Sequence, residues 1–250
     1  MATETLADLV DTTTVLSLLA TAAIVVAAYY SSQALLPSTA SGKTRFLFAW
    51  HAGDGLCHLF IEGGYLYNVF FSYTTIPLLG AKLPGTVAGA SSYLSPGVHF
   101  LGYTNRLYGS LYGTNPLAAT WREYAKADAR WGGSDLTVVS LEILTVLLGT
   151  PLCFWICNCI RTQRTDTWFW IVALAAGELY GGFMTFAPEW LSGSPNLNTG
   201  NFLHLWVYLV FFNTLWVWIP LWVMYEARNS IASGNMRVPL GTVTAGKKRT

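Results

Sequence analysis

Long apolar stretches dominate the chain and alternate with short polar segments. An apolar run of about 20 residues is long enough to cross the hydrocarbon core of a bilayer as a helix. Five runs qualify, at residues 15–36, 46–71, 136–160, 168–190 and 202–225. The pattern therefore predicts an all-α membrane protein, built as a five-transmembrane-helix bundle.

The connection between the second and third runs, residues 73–129, follows a different pattern. It contains Pro77, Pro84, Pro96 and Pro116 together with many glycines, and it has no apolar run long enough to span. Its aromatic residues argue against disorder, and ordered loops of this length are usually functional. We expect short helices at the membrane surface that serve as a lid or as a contact between protomers.

The composition agrees with a membrane location. Of the 250 residues, 53% are hydrophobic and 11% are charged, whereas soluble domains average about 25% charged residues. We predict one transmembrane domain over residues 1–250, whose last part, 228–250, is a basic tail. The net charge of +1 gives no indication of nucleic-acid binding. All four cysteines, Cys57, Cys153, Cys157 and Cys159, belong to apolar runs, which favours small apolar side chains over a disulfide or metal framework.

The positions of lysine and arginine predict an orientation, since cytosolic loops carry the excess of these residues. They gather in the turns after the first and third runs and in the tail, which places the amino terminus in the lumen and the carboxyl terminus in the cytosol. The last four residues, Lys247-Lys248-Arg249-Thr250, have the arrangement of a dilysine retrieval signal for the endoplasmic reticulum. The alternative is a basic tail without an address.

Three ionisable residues of the second run, Asp54, His58 and Glu62, follow a spacing of i, i+4 and i+8. On a helix this spacing places them on one face, one turn apart. Ionisable groups inside a membrane are costly and usually mark a functional site. The alternative is a polar seam that stabilises helix packing; we favour the site.

Further polar residues lie inside the other runs: Glu142, Thr145, Glu178, His204, Asn213 and Trp216. The chain has no Ser-His-Asp arrangement with a nucleophile elbow, no His-Glu-x-x-His zinc motif, no phosphate or dinucleotide fingerprint and no strand pattern. We therefore predict neither a metal nor a cofactor.

Acids, a histidine and aromatic rings in an apolar setting suit proton chemistry on a lipid. A buried carboxylic acid can keep its proton near neutral pH and donate it, and a histidine or a second acid can remove a proton elsewhere. An indole face stabilises the cation between these steps. The result is a shifted double bond. The same residues could start the cyclisation of a polyene, and the residues alone do not separate the two reactions.

Four blocks of the sequence resemble the emopamil-binding protein family, the sterol Δ8,Δ7-isomerases of the EXPERA superfamily. The blocks are His58-Leu-Phe-Ile-Glu62-Gly, Trp121-Arg-Glu-Tyr-Ala-Lys-Ala-Asp-Ala-Arg130, the segment from Asp135 through Glu142 and Thr145 to Pro151, and Trp206-Val-Tyr-Leu-Val-Phe-Phe-Asn213-Thr-Leu-Trp216. They cover residues 46–227 in the order of the family, a region we take as its core.

The resemblance implies five transmembrane helices around a cavity that opens to the membrane of the endoplasmic reticulum, often in a homodimer. It implies His58, Glu62 and Glu142 as catalytic residues, and Thr145, Asn213 and Trp216 as substrate contacts. The implied substrate is a sterol that is protonated at a ring alkene and then loses a neighbouring proton. Lipophilic amines are implied inhibitors because an ammonium group mimics the cation. Membrane lipid surrounds such a protein.

Two departures from the family bear on the substrate. The connection at 73–129 is longer than in the animal enzymes, and Tyr180-Gly181-Gly182 stands where those enzymes have an acid after Tyr-Gly. Glu178 supplies an acid two residues earlier, so we add Asp54, Glu178 and Tyr180 to the predicted substrate contacts. One alternative function is an isomerase or cyclase of a specialised terpenoid. Another is a non-catalytic sterol-binding or trafficking protein of the superfamily.

Overall fold

Six α-helices carry most of the computed structural model, which describes residues 11–75, 94 and 98–241. Their bounds are Thr12–Leu35 (α1), 42–71 (α2), Pro116–Tyr124 (α3), Leu136–Thr162 (α4), Thr167–Ser192 (α5) and Leu203–Ala232 (α6). The helices α1, α4, α5 and α6 are long and apolar enough to cross a membrane. These four helices are consistent with the predicted all-α membrane protein and coincide with four of its five predicted spans. The helix that carries the polar stripe, α2, is not among the four.

Side-chain caps explain where the first four helices begin. The capping residues are Asp11, Ser41, Asn115 and Asp135. Each side chain accepts a hydrogen bond from the backbone N–H three residues later in the chain. Such a bond satisfies one of the N–H groups that the start of a helix leaves free. The hydrogen bond from the Thr14 N–H, helped by the Lys126 ammonium group, lowers the pKa of Asp11 to about 2.

The helix α2 lies at the centre of the packing. It contacts α1 and α4, while α5 packs against α6. The main hydrophobic cluster joins these helices and includes Leu47, Phe48, Ile156, Trp168 and Ile171. Gly55 lets α2 and α4 approach closely, because a Cβ atom at that position would lie 2.9 Å from the Cβ of Cys153. Small residues at such crossings are the usual means of close helix packing in membranes.

The segment between α2 and α4 contains both short helices and strands. The strands β1 (Tyr73–Thr75) and β2 (Arg106–Tyr108) pair in an antiparallel register, and 3₁₀ turns and α3 follow. The prediction of short helices is confirmed, whereas the expectation that the chain has no strands is wrong. Two strands of three residues each are too short to give the alternating pattern by which strands are recognised.

A second hydrophobic cluster lies beneath this segment. Tyr65 and Val69 of α2 pack there with Trp121 and Trp131, and the two indole rings stack with their centroids 4.6 Å apart. The connecting segment is therefore anchored to the bundle over its described part. Residues 76–93 and 95–97, on which part of the predicted lid falls, lie outside the described residues.

The helix ends gather in two groups. At one end, Nε2 of Gln163 donates to the carbonyl of Val238 at 2.9 Å, and Ser41 N–H donates to the carbonyl of Leu240 at 2.7 Å. At the other end, the N–H of Ala129 donates to the carbonyl of Asn196 at 3.0 Å. The first group contains the turns whose basic residues predict the cytosolic side. The predicted retrieval signal at 247–250 lies outside the described residues.

Three of the long helices contain a π-helical segment. The segments are His58–Glu62 in α2, Thr145–Gly149 in α4 and Leu203–Phe212 in α6. Such insertions occur frequently at functional sites. The one in α4 ends two residues before Pro151, and proline is a common cause of helix kinks. The segments of α2 and α4 face each other, because a Cβ atom at Gly149 would lie 3.6 Å from Cδ2 of His58.

Candidate active site

His58 lies between two carboxylates of its own helix. Its Nδ1 is 2.6 Å from Oε2 of Glu62, and its Nε2 is 3.1 Å from Oδ1 of Asp54. The side chain of His58 is 4% exposed and that of Asp54 is fully buried, while Glu62 is 16% exposed. The predicted stripe is therefore a hydrogen-bonded chain, with its spacing slightly altered by the π-helical segment.

Asp54 links this hydrogen-bonded series to two further helices. Its Oδ1 accepts the indole N–H of Trp216 at 2.7 Å, which ties α2 to α6. Its Oδ2 accepts the thiol of Cys153 at 3.2 Å, which ties α2 to α4. The ring of Trp216 also packs against Trp50, with centroids 5.7 Å apart.

Two more acids lie at the ends of the hydrogen-bonded series Asp54–His58–Glu62. The carboxyl of Glu142, on α4, lies against Glu62, and the carboxyl of Glu178, on α5, lies against Asp54. Among the described residues, neither Oε2 of Glu142 nor Oε1 of Glu178 has a hydrogen-bond partner, although both atoms are buried. A buried carboxyl oxygen without a hydrogen bond destabilises the folded protein. We therefore expect these two oxygens to contact a bound molecule.

The remaining predicted site residues lie at different distances from this centre. Thr145 borders it, since its Cγ2 and the ring of His58 both flank the open position beside Gly149; its hydroxyl donates to the carbonyl of Leu141 at 3.0 Å. The amide of Asn213 donates to the hydroxyl of Tyr124 at 3.0 Å and to carbonyls of its own helix. Tyr180 is 62% exposed on the outside of α5.

The structure thus brings together His58, Glu62, Glu142, Asp54, Glu178, Trp216 and Thr145, and we call this set the acid cluster. Asn213 lies one layer away, against α3, and Tyr180 faces outward. The expectation that Tyr180 points into the site has no support in this placement, because Glu178 and Tyr180 are two residues apart and lie on opposite sides of a helix.

Two members of the site escaped the sequence analysis. Cys153 was taken as a small apolar residue, but its thiol contacts Asp54. The signal was available, because Glu142, Thr145, Gly149 and Cys153 follow one another at helical spacing and therefore share a face. Trp50 could have been found in the same way, four residues before Asp54.

The second family-like block supports the site and does not enter it. The indole N–H of Trp121 donates to the carbonyl of Ile61, inside the π-helical segment of α2, at 2.8 Å. Glu123 accepts the hydroxyls of Thr14 at 2.8 Å and Tyr208 at 3.1 Å. These bonds hold α1, α3 and α6 together beside the acid cluster.

The same block ends in a buried ion pair. Arg130 contacts Asp128 with Nη2 and Oδ2 2.6 Å apart, and its Nη1 donates to the carbonyl of Thr185 on α5 at 2.8 Å. Burial raises the pKa of Asp128, against the opposing effect of Arg130. The pair fixes the connecting segment to α5.

One set of donors is close enough to hold a metal ion among the residues that are described. These are Asp54, His58 and Cys153, whose ligand atoms all lie within 4.8 Å of one another. Oxygen, nitrogen and sulfur donors of this kind suit zinc, but here each donor is hydrogen-bonded within the acid cluster.

A groove of about 470 Å³ lies between α2 and α6 at the surface. Its walls are Lys43, Phe46, Trp218, Ile219 and Trp222, together with Gly42. None of the acid-cluster residues lines it, so it is separate from the predicted cavity.

Comparisons with known proteins agree with this geometry. Residues 116–227 match the family described as EBP: EXPERA (EXPanded EBP superfamily). The chain is 31% identical to the 3-beta-hydroxysteroid-Delta(8),Delta(7)-isomerase of Cavia porcellus, over 42% of this chain and 45% of that protein. It is 28% identical to a probable isomerase of the same name from Arabidopsis thaliana, over 82% and 75%, and 23% identical to a protoglabretal synthase of Citrus sinensis, over 71% and 65%.

The described helices form a bundle of apolar helices around a buried acid–histidine cluster. The chain resembles the EBP family of the EXPERA superfamily, whose family model matches its residues 116–227. It spans about half the length of the mammalian relatives that it matches.

Proposed function

We propose that the protein is a cofactor-independent isomerase that shifts a carbon–carbon double bond in a sterol. The observation that carries the proposal is the contact of His58, Glu62 and Glu142, a histidine and two acids held together in the interior by α2 and α4. The activity for which several relatives are named, Δ8,Δ7-isomerisation of a 3β-hydroxysteroid, supports the same class of reaction.

The reaction follows from protons that these side chains hold. Two carboxyl groups in contact inside an apolar site keep one proton between them, because adjacent negative charges repel strongly there. The Glu62–Glu142 pair gives this proton to one alkene carbon, whose π electrons form the new C–H bond and leave a cation on the other carbon. A neighbouring C–H then returns a proton to the pair, and its electrons form the shifted double bond. Site and substrate end with the protons they started with.

The aromatic side of the acid cluster suits the cation. The indole rings of Trp50 and Trp216 lie beside the carboxylate of Asp54. The faces of aromatic rings attract a cation, and a preorganised negative charge strengthens the effect where water is excluded. Lipophilic amines should bind at the same place, because an ammonium group carries the same charge.

The ionisable residues of α2 also bear on how the protein lies in the membrane. In the proposed arrangement α2 is the fifth span, and it tolerates its ionisable residues because they face the bundle interior. The cavity opens sideways to the membrane of the endoplasmic reticulum, with the amino terminus in the lumen and the carboxyl terminus in the cytosol. A homodimer is proposed from the resemblance alone.

A second candidate substrate is a specialised triterpenoid. Matches to plant proteins named protoglabretal synthase and isomeliandiol synthase favour it, as does the displacement of one site acid to Glu178. The first proton transfer is the same for both substrates, so product analysis is needed to distinguish them.

The test is expression in a yeast strain that lacks its own sterol Δ8-isomerase, followed by gas chromatography of the sterols. The wild type should convert Δ8 sterols to Δ7 sterols, and in heavy water the accepting carbon should carry deuterium. Glu142→Gln keeps the shape but removes the acidic proton, so turnover should fall roughly a hundredfold to ten-thousandfold. The matched control is Glu226→Gln, since Glu226 pairs with Lys43 at the helix ends.

Three results would contradict the proposal. A folded Glu142→Gln protein with normal turnover would remove the acid from the mechanism. Product without deuterium would exclude protonation from exchangeable groups. A wild type that binds sterols but converts neither sterols nor triterpenoids would favour the non-catalytic, sterol-binding alternative.

A further inference from the structure

Asp54 stands outside the four blocks that resemble the family, yet it accepts hydrogen bonds from three helices. Oδ1 accepts the indole N–H of Trp216 at 2.7 Å and lies 3.1 Å from Nε2 of His58, and Oδ2 accepts the thiol of Cys153 at 3.2 Å. The residue is 3% exposed. A carboxylate that is held from α2, α4 and α6 in this way has a fixed position.

This position determines which nitrogen of His58 carries a proton. An ionised carboxylate only accepts hydrogen bonds, so the contact with Asp54 requires a hydrogen on Nε2. The other nitrogen, Nδ1, faces Glu62 at 2.6 Å. It is therefore the nitrogen that can exchange a proton with the Glu62–Glu142 pair. Outer partners that fix the tautomer and the angle of a histidine ring are a common feature of histidine sites.

Glu178 supports Asp54 from the fourth side. Its carboxyl, on α5, lies against that of Asp54, and two adjacent carboxylates in an apolar interior do not both carry a charge. Asp54 already receives three donors, which stabilise its ionised form. The proton of the pair therefore belongs to Glu178, whose O–H becomes a fourth donor. The titratable groups that face the pair are His58 and Glu62 on α2 and Cys153 on α4.

We propose that Asp54 is the positioning residue for His58 and that Glu178 holds Asp54 in place as a hydrogen-bond donor. Asp54 acts through the imidazole ring and does not itself exchange protons with the substrate. The effect on turnover rests on the proposed isomerase function, whereas the tautomer of His58 does not.

The kinetic test uses three substitutions in the full-length protein in lipid nanodiscs. Asp54→Asn can donate to Nε2 and so favours the wrong tautomer; kcat should fall about 10²–10⁴-fold, as in other histidine sites that lose the orienting carboxylate, with KM nearly unchanged. Glu178→Gln keeps a donor toward Asp54 and should retain more activity than Glu178→Met. Glu178→Met has similar size without a donor and should lose activity as Asp54→Asn does.

A second measurement does not depend on turnover. Nitrogen-15 NMR of histidine-labelled protein shows which ring nitrogens carry a proton, and His58→Gln identifies the signals of His58. The wild type and Glu178→Gln should carry a proton on Nε2, whereas Asp54→Asn should not. Glu226→Gln is the control for both measurements.

Each outcome bears on one idea. If Asp54→Asn leaves both kcat and the His58 signals unchanged, Asp54 does not position the ring. If Glu178→Gln loses as much activity as Glu178→Met, Glu178 acts as an acid and not as a donor. If the wild type shows no turnover while its His58 signals follow the expected pattern, the proposed function is wrong and the positioning role stands.

Discussion

Replacing Gly55 with alanine tests how closely α2 and α4 must pack for the site to form. The new Cβ would lie 2.9 Å from the Cβ of Cys153 and 3.2 Å from the ring of Phe154. Since the first neighbour is the stiff root of a side chain, the two helices must separate. Overpacking of this kind costs about 1–3 kcal/mol, and the better helix propensity of alanine returns about 0.5–1 kcal/mol. We expect a net destabilisation of up to about 2.5 kcal/mol.

The assay is thermal unfolding in nanodiscs, read from tryptophan fluorescence, together with isomerase turnover. Separation of the helices lengthens the contact between Asp54 and Cys153, so turnover should fall along with the melting temperature. Gly177→Ala is the matched control, because no atom lies within 4 Å of a Cβ atom at that position. Its melting temperature should rise slightly. A Gly55→Ala protein that melts as high as Gly177→Ala would refute the packing argument.

Further substitutions probe the neighbouring contacts. Trp121→Phe keeps the stacked ring but leaves the carbonyl of Ile61 without its donor, which should cost about 1–3 kcal/mol in a denaturation assay; an unchanged stability would mean that the π-helical segment holds itself. Trp216→Ala should weaken the binding of a lipophilic tertiary amine from a few-fold to about thirtyfold, for a loss of about 0.5–2 kcal/mol. Trp216→Phe should retain most of that affinity in the same titration, and equal losses in the two variants would instead assign the effect to the hydrogen bond with Asp54. Changing Lys247 and Lys248 to serine should let the protein leave the endoplasmic reticulum under microscopy, and full retention would show that the tail is not the address.

The sequence was sufficient for elements that have strong periodicity. The long apolar runs predicted the helix ends to within four residues, except that α6 continues seven residues beyond the predicted run. The i, i+4, i+8 spacing placed Asp54, His58 and Glu62 in contact. Glu142 could be assigned to the site only through the family resemblance, because its partner Glu62 is on another helix. Contacts between helices depend on packing, and the periodicity of a single sequence does not reveal which helices pack together.

The missed features have the same physical origin. Two donors to Asp54 come from other helices, Cys153 from α4 and Trp216 from α6. Trp216 was assigned to the site only through the resemblance, and the helical spacing that links Cys153 to Glu142 was overlooked. The strands β1 and β2 are too short to alternate. Tyr180 was included because it is near Glu178 in sequence, although neighbours two apart in a helix face different directions.

The π-helical segment in α2 changes the rotational phase of that helix. A π turn holds one residue more than an α turn, so everything beyond Glu62 is rotated relative to a regular helix. Before the segment, Leu47 and Phe48 face the main hydrophobic cluster; after it, Tyr65 and Val69 face the second cluster beneath the connecting segment. One continuous helix thereby serves two cores that lie in different directions. Deleting a single residue between His58 and Glu62 would restore regular geometry, and it would turn Tyr65 and Val69 away from Trp121.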